Sequence, residues 1–183
     1  MELAGSGATV FFNIATPKFA AQAIREAYDI GWHPVQFIDN PAASVGTVMK
    51  PAGAEKAKGV PSTGLVKDPT DPQFSDDADC KDWLAWMKQY LPDGSLEDPR
   101  NAVGYAQAQT MVQVLKQCGD DLTRENIMRQ AANLHNFHPA MLIDGVNLST
   151  SQVNYEPMRK LQMVRFDGER FACFGEIMDA GAD

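Results

Sequence analysis

Two histidines, His135 and His138, stand three residues apart, a spacing that on a helix would set two imidazoles on one face as paired metal ligands. No third ligand follows at a useful distance. The stretch Asn133-Leu-His-Asn-Phe-His-Pro139 reads as a helix end running into a loop, so no metal is expected there. The run Asp68, Asp71, Asp76, Asp77 and Asp79 could suggest calcium, but it lacks the central glycine and terminal glutamate of an EF-hand loop. It reads as solvated loop charge and as acids favoured at a helix N-terminus. Cys80, Cys118 and Cys173 are widely separated, odd in number and without zinc-ligand spacing; they read as small buried side chains, with a single disulfide as the alternative. No GxSxG, Walker or GxGxxG motif occurs, and Gly5-Ser-Gly7 precedes the first strand, whereas a phosphate cradle belongs between a strand and its helix. Nothing here asks for an enzyme or a cofactor.

The positive signal is in two short loops, Asn13-Ile-Ala-Thr-Pro17 and Asp39-Asn-Pro-Ala-Ala-Ser44. Both are small and polar, and Asp39 is their only charge. Each follows a predicted strand, and in open α/β sheets ligands sit just beyond the carboxyl ends of the strands, where backbone donors and helix N-termini favour anions. Such loops suit a small organic solute. The plainer alternative is that Thr16 caps its helix and Asn40-Pro41 turns the chain.

The elements that must place these loops follow from periodicity. Ala8 to Phe12 is small, β-branched and aromatic, a strand; Thr16-Pro17 is a good N-cap and first helical residue; Ala20, Ala23, Ile24, Ala27 and Tyr28 repeat at helical spacing up to Gly31. Val35 to Ile38 is a buried strand, Ser44 to Met49 a short helix, and Gly59 to Val66 a further strand. This βαβα beginning implies a parallel sheet with helices on its faces. After the loop Asp68-Pro-Thr-Asp-Pro72 the chain turns helical. Ala78 to Leu91 carries Trp83, Trp86, Met87, Tyr90 and Leu91 on one stripe; Ala102 to Cys118 offers Val103, Ala106, Met111, Val114 and Leu115 as contacts; a third helix runs from Thr123 to about Leu134. These three are expected to form one layer. Leu161 to Phe166 and Arg170 to Phe174 flank Asp167-Gly168, a two-residue hairpin signal. Met1 to Gly7 and Asp179 to Asp183 read as frayed ends.

Composition sets the outer bounds. Sixteen basic against 24 acidic side chains leave a net charge of −8 over 183 residues, the balance of a globular protein and unlike a nucleic-acid surface. No stretch of eighteen apolar residues occurs. The first basic residue is Lys18 and the apolar stretch from Ala8 to Phe12 is too short for a secretory signal, so the expectation is a cytoplasmic chain or one whose front is missing.

Phe11-Phe-Asn-Ile-Ala-Thr-Pro-Lys-Phe-Ala-Ala-Gln-Ala-Ile-Arg25, Ile30-Gly-Trp32, Gly59-Val60 and Lys67-Asp-Pro-Thr-Asp-Pro72 occur in an order that resembles the ABC-transporter solute-binding proteins of the branched-chain amino-acid type. Gly104-Tyr-Ala-Gln-Ala-Gln109, Gln117-Cys-Gly-Asp-Asp-Leu-Thr-Arg-Glu-Asn126 and Gln162-Met-Val-Arg-Phe-Asp-Gly-Glu-Arg170 continue the match. The resemblance implies the carboxyl-terminal half of a type I periplasmic-binding fold, an α/β, three-layer Rossmann-like parallel sheet with helices on both faces, closing here with a β-hairpin. It implies that residues 1–62 and 161–183 belong to the carboxyl-terminal lobe and 63–160 to the amino-terminal lobe.

By the same resemblance the ligand loops are those after the first two strands, with Asn13, Ala15, Thr16, Asn40, Pro41 and Ser44 as ligand-binding positions and Asn101 and Tyr105 contributing from the other lobe. Family members that bind α-amino acids often use an aromatic hydroxyl in the first loop and an acid in the second; this chain has Ala15 and Pro41 there, with Asp39 close by. A carboxylate held by backbone donors and the Thr16 and Ser44 hydroxyls is therefore implied, on an organic or aromatic acid as readily as on a branched-chain amino acid. The resemblance further implies an ABC permease as partner and a periplasmic location, or a cytoplasmic one if the shortening is natural. The alternative from another class is a self-associating module, a homodimer of the half-chain that covers its own strand edges.

Overall fold

Val10–Asn13 (β1) and Val35–Ile38 (β2) pair in parallel, with Val10 level with Val35 and Asn13 level with Ile38. The connection that parallel strands require is Pro17–Asp29 (α2), which Pro17 opens and Gly31 closes at a φ of 73°. The computed structural model describes residues 2–181. Ahead of β1, Glu2–Gly5 forms a helical turn (α1) where frayed chain was expected; Met1, Ala182 and Asp183 of the expected frayed ends lie outside the described residues.

After β2 the chain makes a 3₁₀ turn at Asn40–Ala42, a π-helical turn at Val45–Met49, and two short helices, Lys50–Ala52 (α3) and Ala54–Ala57 (α4). It then enters Pro61–Gly64 (β3), Ala78–Tyr90 (α5), Pro99–Cys118 (α6), Arg124–Ala131 (α7), Lys160–Phe166 (β4) and Phe171–Asp179 (β5). β3 runs antiparallel to β4, with Pro61 level with Arg165, in a three-stranded sheet of order β3, β4, β5. The architecture is thus α/β in an open, two-sheet form. No helix among the described residues is long and apolar enough to cross a membrane.

The chain divides into two compact units. The first comprises residues 1–64 and 162–176, the second residues 65–161 and 177–183. The core of the first gathers Ala20, Ile24, Ile38, Val48, Met49 and Phe166. The alanines of α2 let helix and strand approach closely on one face, where Asn13 and Ile38 are buried, while Val10, Phe12 and Val35 stay exposed. The second unit is built on Trp83, which is fully buried and packs with Cys80, Met87, Ala102 and Met141.

The helical stripes differ from expectation in their outer turns. Tyr90 and Leu91 are 62% and 41% exposed, because α5 ends at Tyr90 and its last turn passes beyond the core. On α6 the buried seam is Ala102, Ala106, Val114 and Cys118, in steps of four and eight, while Met111 and Leu115 face outward. Small residues at those steps allow closer packing than the larger side chains would. The hairpin turn also differs. Residues 167–170 form a four-residue loop in which only Gly168 takes a positive φ, 114°. Asp167 Oδ1 accepts from the backbone N–H groups of Arg170 (2.9 Å) and Glu169 (2.8 Å). Those two bonds hold its carboxyl below the usual carboxylate range.

Among the described residues Lys67 is the one lysine buried almost completely, with 3% of its side chain exposed, and its ammonium lies 2.8 Å from Asp77, 3.1 Å from Asp144 and 3.3 Å from Asp79. Burial opposes the charge, yet the hydrogen bonds that Lys67 donates to Asp77 and Asp144 more than offset it and raise the lysine's pKa. For Asp77, burial is likewise outweighed by the bond from Lys67 and by the Cys80 N–H at the start of α5, so its carboxyl is held below its ordinary 3.8. Burial, then the Asp77 charge, pushes the Cys80 thiol up to about 12, an inert core thiol. A lowered carboxyl pKa adds stability that is present above the unfolded value and lost as pH falls through the folded one. Urea denaturation should therefore show constant stability of the second unit from about pH 5 to 8 and a fall below about pH 4. Lys67→Met should remove about 2 kcal/mol at pH 7 and flatten that acid limb.

Candidate functional site

The parallel register sets the ends of β1 and β2 level, so the two loops singled out in the sequence leave the sheet side by side. Asp39 N–H donates to the Asn13 carbonyl at 3.2 Å and carries the ladder one residue past the strands. Asn13 is 4% exposed, and its amide Nδ2 has no hydrogen-bond partner. Asp39 Oδ1 is also buried without a partner, and burial raises the carboxyl's pKa against the pull of the backbone N–H groups around it. Orphaned donors and acceptors cost free energy, and two at adjacent strand ends mark a place where an added polar group would be stabilising.

Thr16 is exposed at the N-cap of α2, with its carbonyl accepting from Phe19 and Ala20. Its hydroxyl makes no capping bond, so the first helical turn keeps unsatisfied donors beside it. Ala15 is half-buried against the core. It offers no functional group, and its small size leaves the helix end open. The second loop is held more firmly. Asn40 Nδ2 donates to the Thr63 carbonyl (2.6 Å), and Ser62 Oγ donates to the Ile38 carbonyl (2.9 Å). Ser44 is buried, and its Oγ accepts from Thr47 N–H at 3.2 Å, capping the π-helical turn. Its own backbone carbonyl accepts from Val48 and Met49. Pro41 is exposed at the tip.

In the second unit, Asn101 Nδ2 donates to the Ser95 carbonyl at 2.8 Å and so ties the loop before α6 to its first turn. One turn on, Tyr105 packs against Trp86, with ring centroids 5.1 Å apart, and lines a cleft of about 590 Å³ with Gln109, Phe137 and His138. Asn101 does not line that cleft. His138 is engaged by the Val146 carbonyl and His135 by Asn133 Oδ1, each within its own loop, and no group of three or more His, Cys, Asp or Glu side chains among the described residues could hold a metal ion.

Ser62 and Thr63 support the second loop from β3, a role that residue type alone does not mark. The signal is the run Pro61-Ser-Thr-Gly64, small and polar in a strand whose Pro61, Ser62 and Gly64 are buried, where an apolar run would be ordinary. Asn13→Leu, which removes the orphaned amide from a 4% exposed site, is expected to raise the stability of the ligand-free chain by about 1 kcal/mol in a urea titration.

A profile described as periplasmic binding protein matches residues 2–170. No curated protein sequence matches the chain. Among solved structures, a branched chain amino acid ABC transporter from Thermus thermophilus with bound valine superposes with a TM-score of 0.80 at 14% identity, over 98% of this chain and 48% of that one. A substrate binding protein of an ABC transporter from Aeropyrum pernix gives 0.78 at 10% identity, over 99% and 47%. A leucine binding protein from Thermotoga maritima gives 0.69 at 16%, over 97% and 47%. The chain thus spans about half the length of the structures it matches, and its open, two-sheet α/β arrangement is that of half of such a fold.

Proposed function

The chain belongs to the periplasmic binding protein family, and from that premise we propose that it forms part of a solute-binding component of an ABC importer, without catalysis of its own. In this reading residues 1–62 and 161–183 belong to the carboxyl-terminal lobe and 63–160 to the amino-terminal lobe. The lobes close on a small solute in the periplasm and hand it to a permease. Closure requires that the ligand gain contacts in the closed state that the open state lacks.

The ligand is a small carboxylic acid, a branched-chain amino acid or an organic or aromatic acid, held at the carboxyl ends of β1 and β2. The observation that carries this reading is the pair of orphaned polar atoms, Asn13 Nδ2 and Asp39 Oδ1, at level strand ends beside the uncapped Thr16. Asn13 Nδ2, the Thr16 hydroxyl and the N–H groups opening α2 are donors suited to a carboxylate. Asp39 supplies an acceptor for an amino or hydroxyl group on the same ligand. Ser44, Asn40 and Pro41 shape the second loop, and Asn101 and Tyr105 contribute from the other lobe.

Calorimetry against leucine, valine, benzoate and phenylacetate is expected to find heat with at least one of them. Asn13→Leu should weaken that binding by about tenfold, the loss of one charge-assisted hydrogen bond, although it stabilises the free chain. A full panel without heat would contradict the reading.

A second reading rests on the free edge of β1. Among the described residues β1 has β2 as its only strand neighbour, and Val10, Phe12 and Ile14 are 47%, 68% and 82% exposed. An uncovered edge of this kind pairs readily with another chain. A self-associating module predicts a concentration-dependent dimer in light scattering, and a monomer at every concentration removes it.

A further inference from the structure

In the first unit side-chain hydrogen bonds bridge the two sheets at one end. Ser62 Oγ to the Ile38 carbonyl and Asn40 Nδ2 to the Thr63 carbonyl join them beside the carboxyl end of β2. At the opposite end a cleft of about 600 Å³ opens between β2 and the strands β3 and β4, within the size range of small-molecule sites. Tyr28, Trp32, Phe37 and Phe174 line it together with aliphatic side chains such as Ile24 and Val60. Gln36, 8% exposed, lies among them with an Nε2 donor that has no partner.

The charge at this cleft runs against that of the chain. In a protein of net charge −8, the cleft gathers His33, Lys56, Lys58 and Arg165 against a single acid, Glu55. Lys56 is already engaged by Asp29 at 2.6 Å. Among the described residues no carboxylate pairs with Lys58 or Arg165, and the Arg165 guanidinium instead lies 4.7 Å from the Phe174 ring centroid. One unpaired guanidinium over a ring face, an unpaired lysine lining the same cleft and an orphaned amide donor call for one ligand chemistry: a flat apolar body to lie against the rings and a strong anionic group for the cations.

We propose that this cleft is a second binding site, separate from the strand-end loops, for a small aromatic anion of the phosphate or sulfonate class. Gln36 hydrogen-bonds the ligand, Arg165 and Lys58 neutralise it, and Trp32 and Tyr28 take its ring. The site needs no residue of the two loops and stands whether or not the solute reading does.

The test is a ¹⁵N,¹H NMR titration of the whole chain with phenyl phosphate, read at the three tryptophan indoles. Only Trp32 borders the cleft; Trp83 and Trp86 lie in the second unit. The expected result is a saturable shift of the Trp32 indole alone. Inorganic phosphate and benzyl alcohol should each bind at least tenfold more weakly. A Lys58→Ala/Arg165→Ala double variant, exposed at both positions and expected to fold, should lose tenfold or more in affinity, while Ser44→Ala should leave the titration unchanged. A Trp32 resonance that does not move overturns the site. So does one that benzyl alcohol or inorganic phosphate moves equally, or one that the double variant leaves intact.

Discussion

The parallel ladder between β1 and β2 is the constraint on which the candidate site depends. Four residues from each strand pair in register, and that register alone brings Asn13 level with Ile38 and starts both loops at the same height. A shift of one residue would turn Asn13 from its buried position and carry Ile38 out of the core. α2 fixes the ladder from one side. Its Ala20, Ile24 and Ala27 are buried, and Pro17 sets its first turn directly beyond the strand end, where Thr16 then stands.

The segment after β2 trades regularity for position. A 3₁₀ turn, a π-helical turn and two very short helices succeed one another within 18 residues, each with few internal hydrogen bonds. They are held by tertiary contacts: Val48, Met49, Ala52 and Ala57 are all buried, and Asn40 reaches across to β3. Polar atoms left unsatisfied at Asn13 and Asp39 cost stability, and the well-packed core beneath them can carry that cost. The second unit rests instead on an ionic knot, with Lys67 tying the start of α5 to the loop that carries Asp144. A buried ammonium with three carboxylates is sensitive to protonation of those acids.

Much of this was readable from residue order. β2 occupies the residues its apolar run marked, and α2 begins at the Thr16-Pro17 pair, because strand length and helix starts are local properties. The outer turns of α5 and α6 were not readable, since which stripe is buried depends on what packs against it. Met111 and Leu115 lost to a seam of smaller residues. The Asp167-Gly168 pair signalled a hairpin correctly, but the strands stop at Phe166 and resume at Phe171, and inside that turn the Asp167 carboxylate accepts from the Glu169 and Arg170 N–H groups. In the site, the loops and their residue types were visible in sequence. The orphaned state of Asn13 Nδ2 and the bridges from Ser62 and Asn40 exist only once β3 lies beside β2.

In the proposed function a carboxylate ligand sits at the level ends of β1 and β2. The most direct measurement is backbone amide shift mapping with a saturating carboxylic acid from the calorimetric panel. The largest shifts should fall on the non-proline residues of 13–18 and 39–45, together with the Asn13 side-chain amide. Shifts confined to other segments, with both loops and that amide unmoved, would contradict that placement.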